Sequence, residues 1–167
     1  MKKYDESKLI VKVIQQMLGS TKQNFQSMGV QILSNLYREN QVDLMFKHLM
    51  VALSKSKFEA VRKKIIKCLR VPMGISNEVQ SIVKRFVGAR LTDSDPGVRI
   101  EAFEKIAAFQ IKIEDFDSPE IRMRIIKEGM SDQDENVLKS CLNFLTPSII
   151  QTINIEVTEN EVSEMLS

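Results

Sequence analysis

Apolar residues recur along this chain at the spacing of one helical face, and this pattern itself repeats. The clearest copy is formed by Val98, Ala102 and Ile106. Residues four apart lie on one side of a helix. The same spacing starts at Val61 and Val137, and a fainter copy starts at Phe25. These four starting residues, here named anchors, are 36, 37 and 39 residues apart (25 to 61, 61 to 98, 98 to 137). Each copy therefore has room for two helices of about 11–15 residues.

The pattern predicts eight helices and few strands, since β-branched residues fall at helical spacing. The predicted pairs are 5–18 with 21–38, 41–54 with 57–70, 76–91 with 96–109, and 118–130 with 134–146. Thr21 and Ser118 are predicted N-caps, and Pro96 and Pro119 fit a first helical turn. The methionines predicted to pack in the core include Met17, Met28 and Met123.

Helix pairs of this period predict an all-α fold, a HEAT/armadillo-type α-solenoid of about four helix pairs over residues 1–146. The alternative is a set of amphipathic helices whose similarity is accidental. Residues 147–167 are predicted to be an acidic segment that forms either one further helix or a frayed end. A short solenoid leaves apolar stripes exposed at its ends, which predicts association with a longer partner or with itself.

Charged residues recur at fixed places beside the anchors. Arg62 and Arg99 each follow an anchor, and Asp93 and Asp132 hold equivalent places before the third and fourth anchors. In stacked repeats such side chains can form a ladder of charge-assisted hydrogen bonds between one repeat and the next. Leu138 follows the last anchor, so the ladder is expected to weaken at the last repeat.

Charge is unevenly divided along the chain. Residues 1–90 hold 17 Lys/Arg and 6 Asp/Glu (+11), whereas residues 91–167 hold 7 and 16 (−9). On the predicted helix 57–70, Lys63, Lys67 and Arg70 share one face at positions i, i+4 and i+7. This face points into the groove if the second helix of each pair lines the concave side. Such a row suits nucleic-acid phosphates, and the alternative is an ordinary solvated face. The candidate DNA-backbone contacts are Lys63, Lys67, Arg70, Lys64, Lys84, Arg85 and Arg90.

Residue patterns typical of catalytic and metal sites are scarce. The chain has one histidine, His48, and two distant cysteines, Cys68 and Cys141, which occupy stripe positions and are predicted to be buried free thiols. No glycine-rich phosphate loop or nucleophile elbow occurs. We therefore predict a protein that is not an enzyme and needs no metal or cofactor. No apolar run approaches the ~18 residues of a bilayer span, and free thiols fit the cytosol or nucleus.

Two stretches resemble the condensin subunit 3 family, the CAP-G type of condensin subunit. The first runs from Arg90 to Arg99, Arg-Leu-Thr-Asp-Ser-Asp-Pro-Gly-Val-Arg. The second joins the helix that starts at Ser118 to Gly129-Met130-Ser131-Asp132 and the helix of Val137, and it is similar to a family segment with a Gly-Leu-x-Asp turn. The similarity covers roughly residues 42–146.

This resemblance implies a HEAT-repeat subunit of the condensin complex, acting in mitotic chromosome condensation. The implied partners are the kleisin subunit, the structural-maintenance-of-chromosomes ATPases and double-stranded DNA without sequence specificity. The implied location is the nucleus or the chromosome, with the cytoplasm as the second location. The alternative function is a generic HEAT-repeat scaffold or adaptor that grips an acidic or amphipathic peptide and does not bind DNA.

Overall fold

The computed structural model describes residues 6–36, 44–70 and 76–165. Within these ranges the chain is all-α and contains no strand. The helices are α1 (Glu6–Leu18), α2 (Gln23–Leu36), α3 (Leu44–Lys55), α4 (Glu59–Cys68), α5 (Asn77–Phe86), α6 (Pro96–Ala108), α7 (Pro119–Met130) and α8 (Glu135–Met165). Short 3-10 turns at Gly88–Arg90 and Ile113–Asp115 follow α5 and precede α7.

Helix starts follow the local chemistry, with two corrections. Pro96 is the first residue of α6, as predicted, and the preceding Asp95 caps the helix because its carboxylate accepts the Val98 N–H. Ser118 precedes α7 as predicted, but its hydroxyl contacts the Glu120 carboxylate and does not cap the backbone. Thr21 is not directly before α2, which begins two residues later at Gln23.

The even-numbered helices pack against one another in chain order, α2 on α4, α4 on α6 and α6 on α8. Helices α1, α3 and α7 each pack on the even-numbered helix that follows, and α5 packs on α3. The 3-10 turn after α5 joins α5 to α6. The core therefore lies along the even-numbered row, and nine predicted stripe residues are buried in it, namely Val61, Ile65, Leu69, Val98, Ala102, Ile106, Val137, Cys141 and Leu145.

Several residues predicted to be buried are exposed in the first and last pairs. The anchor Phe25 is 48% exposed, and Met28 and Met123 are exposed as well. Helices α2 and α8 each have an even-numbered neighbour on one side only, whereas α4 and α6 have one on both sides. The burial prediction fails at single positions and not along the whole stripe, since Gly29 and Leu33, four and eight residues after Phe25, are buried.

Helix α8 is longer than the pattern predicts. It continues through Pro147 to Met165, although the sequence predicts an end near Thr146. The turn around Pro147 is held from outside the helix, because the buried Ser148 hydroxyl donates to the Glu114 carboxylate at 2.9 Å. Side-chain contacts from the segment before α7 thus offset the hydrogen bond that a proline cannot donate.

Helix α4 is shorter than predicted. It ends at Cys68, because Leu69 is extended (ψ 119°) and its buried side chain fixes the exit of the chain. Lys105 of α6 stabilises this end by donating to the Leu69 carbonyl oxygen at 2.8 Å. Arg70 therefore lies beyond the helix, and its predicted place on the helical face of Lys63 is wrong.

Candidate functional site

The turn before each even-numbered helix has the same hydrogen bond in all four pairs. The residue five before each anchor is Ser or Asp, and its side-chain oxygen accepts the backbone N–H two residues later. The four donor and acceptor pairs are Lys22 to Ser20 (3.1 Å), Phe58 to Ser56 (3.3 Å), Asp95 to Asp93 (3.1 Å) and Asp134 to Asp132 (3.0 Å). Short polar side chains such as Ser and Asp favour this local hydrogen bond, so the residue type at this position favours the turn.

Two charged side-chain pairs connect successive even-numbered helices. Arg62 donates from Nε and Nη2 to the two carboxylate oxygens of Asp93, at 2.8 and 2.6 Å. Arg99 donates in the same way to Asp132, at 2.7 and 2.9 Å. The structure therefore brings together all four residues that the sequence assigned to the ladder. We name each side-chain pair of this kind a rung.

A third, uncharged rung joins α2 to the turn before α4. The Ser56 hydroxyl donates to the Gln26 side-chain oxygen at 2.7 Å, and both residues are buried. Sequence reasoning missed this rung because neither residue is charged. The signal was present, since Gln26 follows the anchor Phe25 and Ser56 lies five residues before the anchor Val61.

The rung donors also hold their own turns closed. Gln26 donates to the Ser20 carbonyl oxygen at 2.6 Å. Arg62 donates to the Ser56 carbonyl oxygen at 3.2 Å. Arg99 donates to the Asp93 carbonyl oxygen at 2.8 Å. Each rung donor thus makes two kinds of contact. It binds the turn before its own helix, and it binds the side chain of the turn in the next helix pair. The equivalent residue of the fourth copy is the apolar Leu138, so the ladder ends there.

The rungs lower the pKa of both aspartates. Burial by itself raises the pKa of Asp93, but the Arg62 side chain, the Asp95 N–H and the charge of Arg90 outweigh it. The pKa of Asp132 is likewise lowered, since Arg99 and a backbone N–H outweigh the cost of burial. Both carboxylates are therefore charged at neutral pH, and their charge-assisted hydrogen bonds are of the strong class.

The candidate DNA contacts on α4 do not form a free row. Lys67 pairs with Glu101 at 3.0 Å. The Lys63 ammonium lies over the start of α6, where a Cβ added to Gly97 would come within 2.7 Å of it. Arg70 is exposed beyond the helix end. Lys64 points the other way and donates to Ser27 of α2 at 3.2 Å.

The remaining candidates lie apart from α4. Arg90 donates to Asp93 at 3.3 Å and so belongs beside the charged rung. Lys84 donates to a backbone carbonyl oxygen of the segment before α7, at 2.6 Å. Arg85 is exposed on α5. The seven predicted contacts therefore do not share one face, because Lys64 faces α2, Arg90 lies beside the charged rung, and Lys84 and Arg85 lie on α5. Their contact with DNA stays a prediction.

Titratable groups of other kinds do not converge on a site. The His48 ring is 3.1 Å from the Gln15 side-chain nitrogen. Both cysteines are free, Cys141 buried and Cys68 only partly so. Burial and the nearby Asp132 charge raise the pKa of Cys141 to about 11. Within the described ranges, no three His, Cys, Asp or Glu side chains cluster as a metal site would require.

No protein-family model, no curated protein and no solved structure matches this chain. Among the described helices, none combines the length and the apolar character that a bilayer span requires. The repeated turn, the ladder and the surface charges are the features of the chain that bear on its function.

Proposed function

We propose that the chain is a HEAT-type helical-repeat scaffold that binds other macromolecules and is not an enzyme. The observation that carries the proposal is the fourfold recurrence of one turn, at the same distance from each anchor, with rungs between successive copies. A ladder at equivalent positions is what stacked copies of one unit require, since each copy contacts its neighbours in the same way. Solenoids of this kind present extended surfaces to partners.

Duplex DNA is the ligand that the condensin resemblance implies, and the region around α4 offers a basis for it. Lys63 and Arg70 make no ion pair among the residues that the structure describes. Their charges are available to phosphates, and long cationic side chains follow a backbone without reading its sequence. Binding to a kleisin subunit and work on chromosomes in the nucleus belong to this same proposal.

A titration of duplex DNA against salt tests the DNA part. Log affinity should fall linearly with log salt, and Lys63→Glu with Arg70→Glu should flatten the slope by about one per lost phosphate contact. Lys127→Glu with Lys139→Glu, two exposed charge reversals on α7 and α8, is the control matched in net charge. Binding that ignores salt, or equal losses in test and control variants, counts against DNA as ligand.

Affinity capture from cells that express the chain separates the two scaffold hypotheses. Recovery of kleisin and structural-maintenance-of-chromosomes subunits supports the condensin assignment. Reproducible recovery of other partners, without DNA-dependent association, supports the generic scaffold. A chain that captures neither protein nor DNA contradicts both.

A further inference from the structure

A cleft of about 390 Å³ separates α5 from α7. Its floor is Phe116, which lies in the segment before α7 and is nearly buried. The 3-10 turn after α5 sits directly on this ring, since a Cβ added to Gly88 would come within 2.9 Å of it. Ile121 of α7 lines the cleft and is 42% exposed. The cleft is therefore large enough for one or two side chains and has an apolar base.

Three cations surround this apolar base, namely Lys84, Arg85 and Arg124. Lys84 and Arg124 have carboxylate neighbours, which hold them weakly. Asp117 lies 3.7 Å from Lys84 but is 97% exposed, and Glu128 lies 4.0 Å from Arg124 on the same exposed helix face. Exposed carboxylates at such distances contribute little to stability, so the carboxylates of a partner can displace them.

We propose that this cleft binds an acidic segment of a partner protein, with one large apolar side chain packed on Ile121 and on the exposed edge of the Phe116 ring. The proposal deepens the scaffold function proposed above and rests on it. Charge complementarity selects the ligand, because the rim is cationic while the base is apolar. A DNA backbone matches the rim alone, since phosphates and sugars offer no side chain for the base. Arg85 and Lys84 are thereby assigned to a peptide and not to DNA.

Asp117 has a specific part in this assignment. It reaches Lys84 from the loop, so its carboxylate stands where a partner's carboxylate would bind. Without Asp117, Lys84 still donates to the Asp115 carbonyl oxygen. We therefore expect Asp117→Ser to increase peptide affinity, an outcome that a merely structural role for this exposed residue does not produce.

Selection from a display library of random peptides of about 12 residues tests the cleft. The enriched peptides should carry Asp or Glu on both sides of a Leu, Ile, Met or Phe. Their affinity should fall at least about tenfold with Arg85→Glu plus Arg124→Glu and rise about two- to fivefold with Asp117→Ser. Lys139→Glu should leave it unchanged, and circular dichroism should show equal helicity in all variants.

Each other outcome overturns the assignment. Peptides that are neutral or basic, or that bind the double Arg variant equally well, place binding elsewhere and leave the scaffold function standing. If duplex DNA displaces the selected peptides, and Arg85→Glu plus Arg124→Glu weakens DNA binding as well, the cleft binds DNA and not a peptide. If no peptide is enriched and the DNA titration and affinity capture are also negative, the scaffold proposal fails together with the cleft.

Discussion

At the residue scale, Arg62 and Asp93 form a buried ion pair, whose desolvation opposes folding. Both residues are 7% exposed, so each charge has lost most of its water. Such a pair is stable only with close geometry and further hydrogen bonds. Two parallel hydrogen bonds join Arg62 to Asp93. In addition, Arg62 donates to the Ser56 carbonyl oxygen, and Asp93 accepts from Arg90. The rung is therefore sensitive to loss of either partner.

The lowered pKa values predict how stability responds to acid. A carboxylate with a lowered folded-state pKa stabilises the fold fully above its unfolded value, 3.8 for both aspartates, and loses this contribution as the pH falls through the folded value. The difference in unfolding free energy between wild type and Asp93→Asn/Asp132→Asn should be largest above about pH 5 and shrink below pH 3.8. Urea unfolding from about pH 7 to about pH 2 measures it. A difference that is constant with pH contradicts the assignment.

The two cysteines should differ in reactivity. Cys141 is fully buried with a pKa of about 11, so little thiolate exists near neutral pH, and the partly buried Cys68 is nearer solvent. Iodoacetamide should label Cys68 in the native protein and Cys141 only after unfolding, as mass spectrometry of the peptides can show. Concentrated urea is the control, where both should react alike. Equal labelling of both in the native state contradicts the described packing.

The sequence predicts the charged rungs because Arg and Asp recur at fixed distances from the anchors. It does not predict the positions of Lys84 and Asp117. Their contact depends on the path of the irregular segment between α6 and α7, which no periodicity determines. The Gln26–Ser56 rung lies between these cases, since its spacing is regular but its residue types are not distinctive.

At the element scale, the number and order of helices follow from the apolar period, whereas their ends do not. Helix α4 ends early because Leu69 packs its side chain into the core, and α8 continues past Pro147 because Ser148 is held by Glu114. Tertiary contacts therefore override local propensity at both ends. A sequence pattern contains neither contact.

The packing of α7 on α8 predicts a specific cost at Gly129. A Cβ there would come within 2.5 Å of the Cys141 sulfur and 3.0 Å of the Phe103 ring, both buried. Gly129→Ala should therefore reduce the unfolding free energy by about 1–3 kcal/mol, despite the better helix propensity of alanine. Urea denaturation measures the change.

Gly97→Ala is the matched control for this substitution. Its Cβ would meet mainly the flexible end of the Lys63 side chain, which can move aside. This variant should change the unfolding free energy by less than about 1 kcal/mol, or stabilise the protein slightly. Equal losses at both glycines would show that the α7–α8 contact is not as close as described.

At the scale of the whole molecule, the rungs and the even-numbered helices run in the same order along the chain. The two ends of this order expose apolar side chains, for example Leu9 and Val13 on α1, and Met123 and Ile150 on α7 and α8. Association through these faces, with a longer partner or with a second copy, remains a prediction. The basic and acidic halves meet near Leu91, at the turn that carries Asp93.

The central claim is that the pairs are copies of one unit joined by equivalent rungs, and exchanging one rung for another tests it most directly. The double variant Arg62→Gln with Asp93→Ser replaces the charged rung by the residue types of the Gln26–Ser56 rung at equivalent positions. Each single variant should lose about 3 kcal/mol of unfolding free energy, because a buried charge loses its two-bond partner and keeps weaker contacts, Arg90 for Asp93 and the Ser56 carbonyl oxygen for Arg62. The double variant should recover at least about 2 kcal/mol relative to the sum.

The non-partner combination Arg62→Gln with Asp132→Ser controls for residue type. Because Arg99 links Asp132 to the Asp93 carbonyl oxygen, we expect a small coupling, below about 1 kcal/mol and well under that of the partner combination. The decisive measurement is urea unfolding of these single and double variants against wild type. Recovery only in the double variant that replaces both partners of the same rung supports equivalent rungs. Additive losses in both double variants would contradict them.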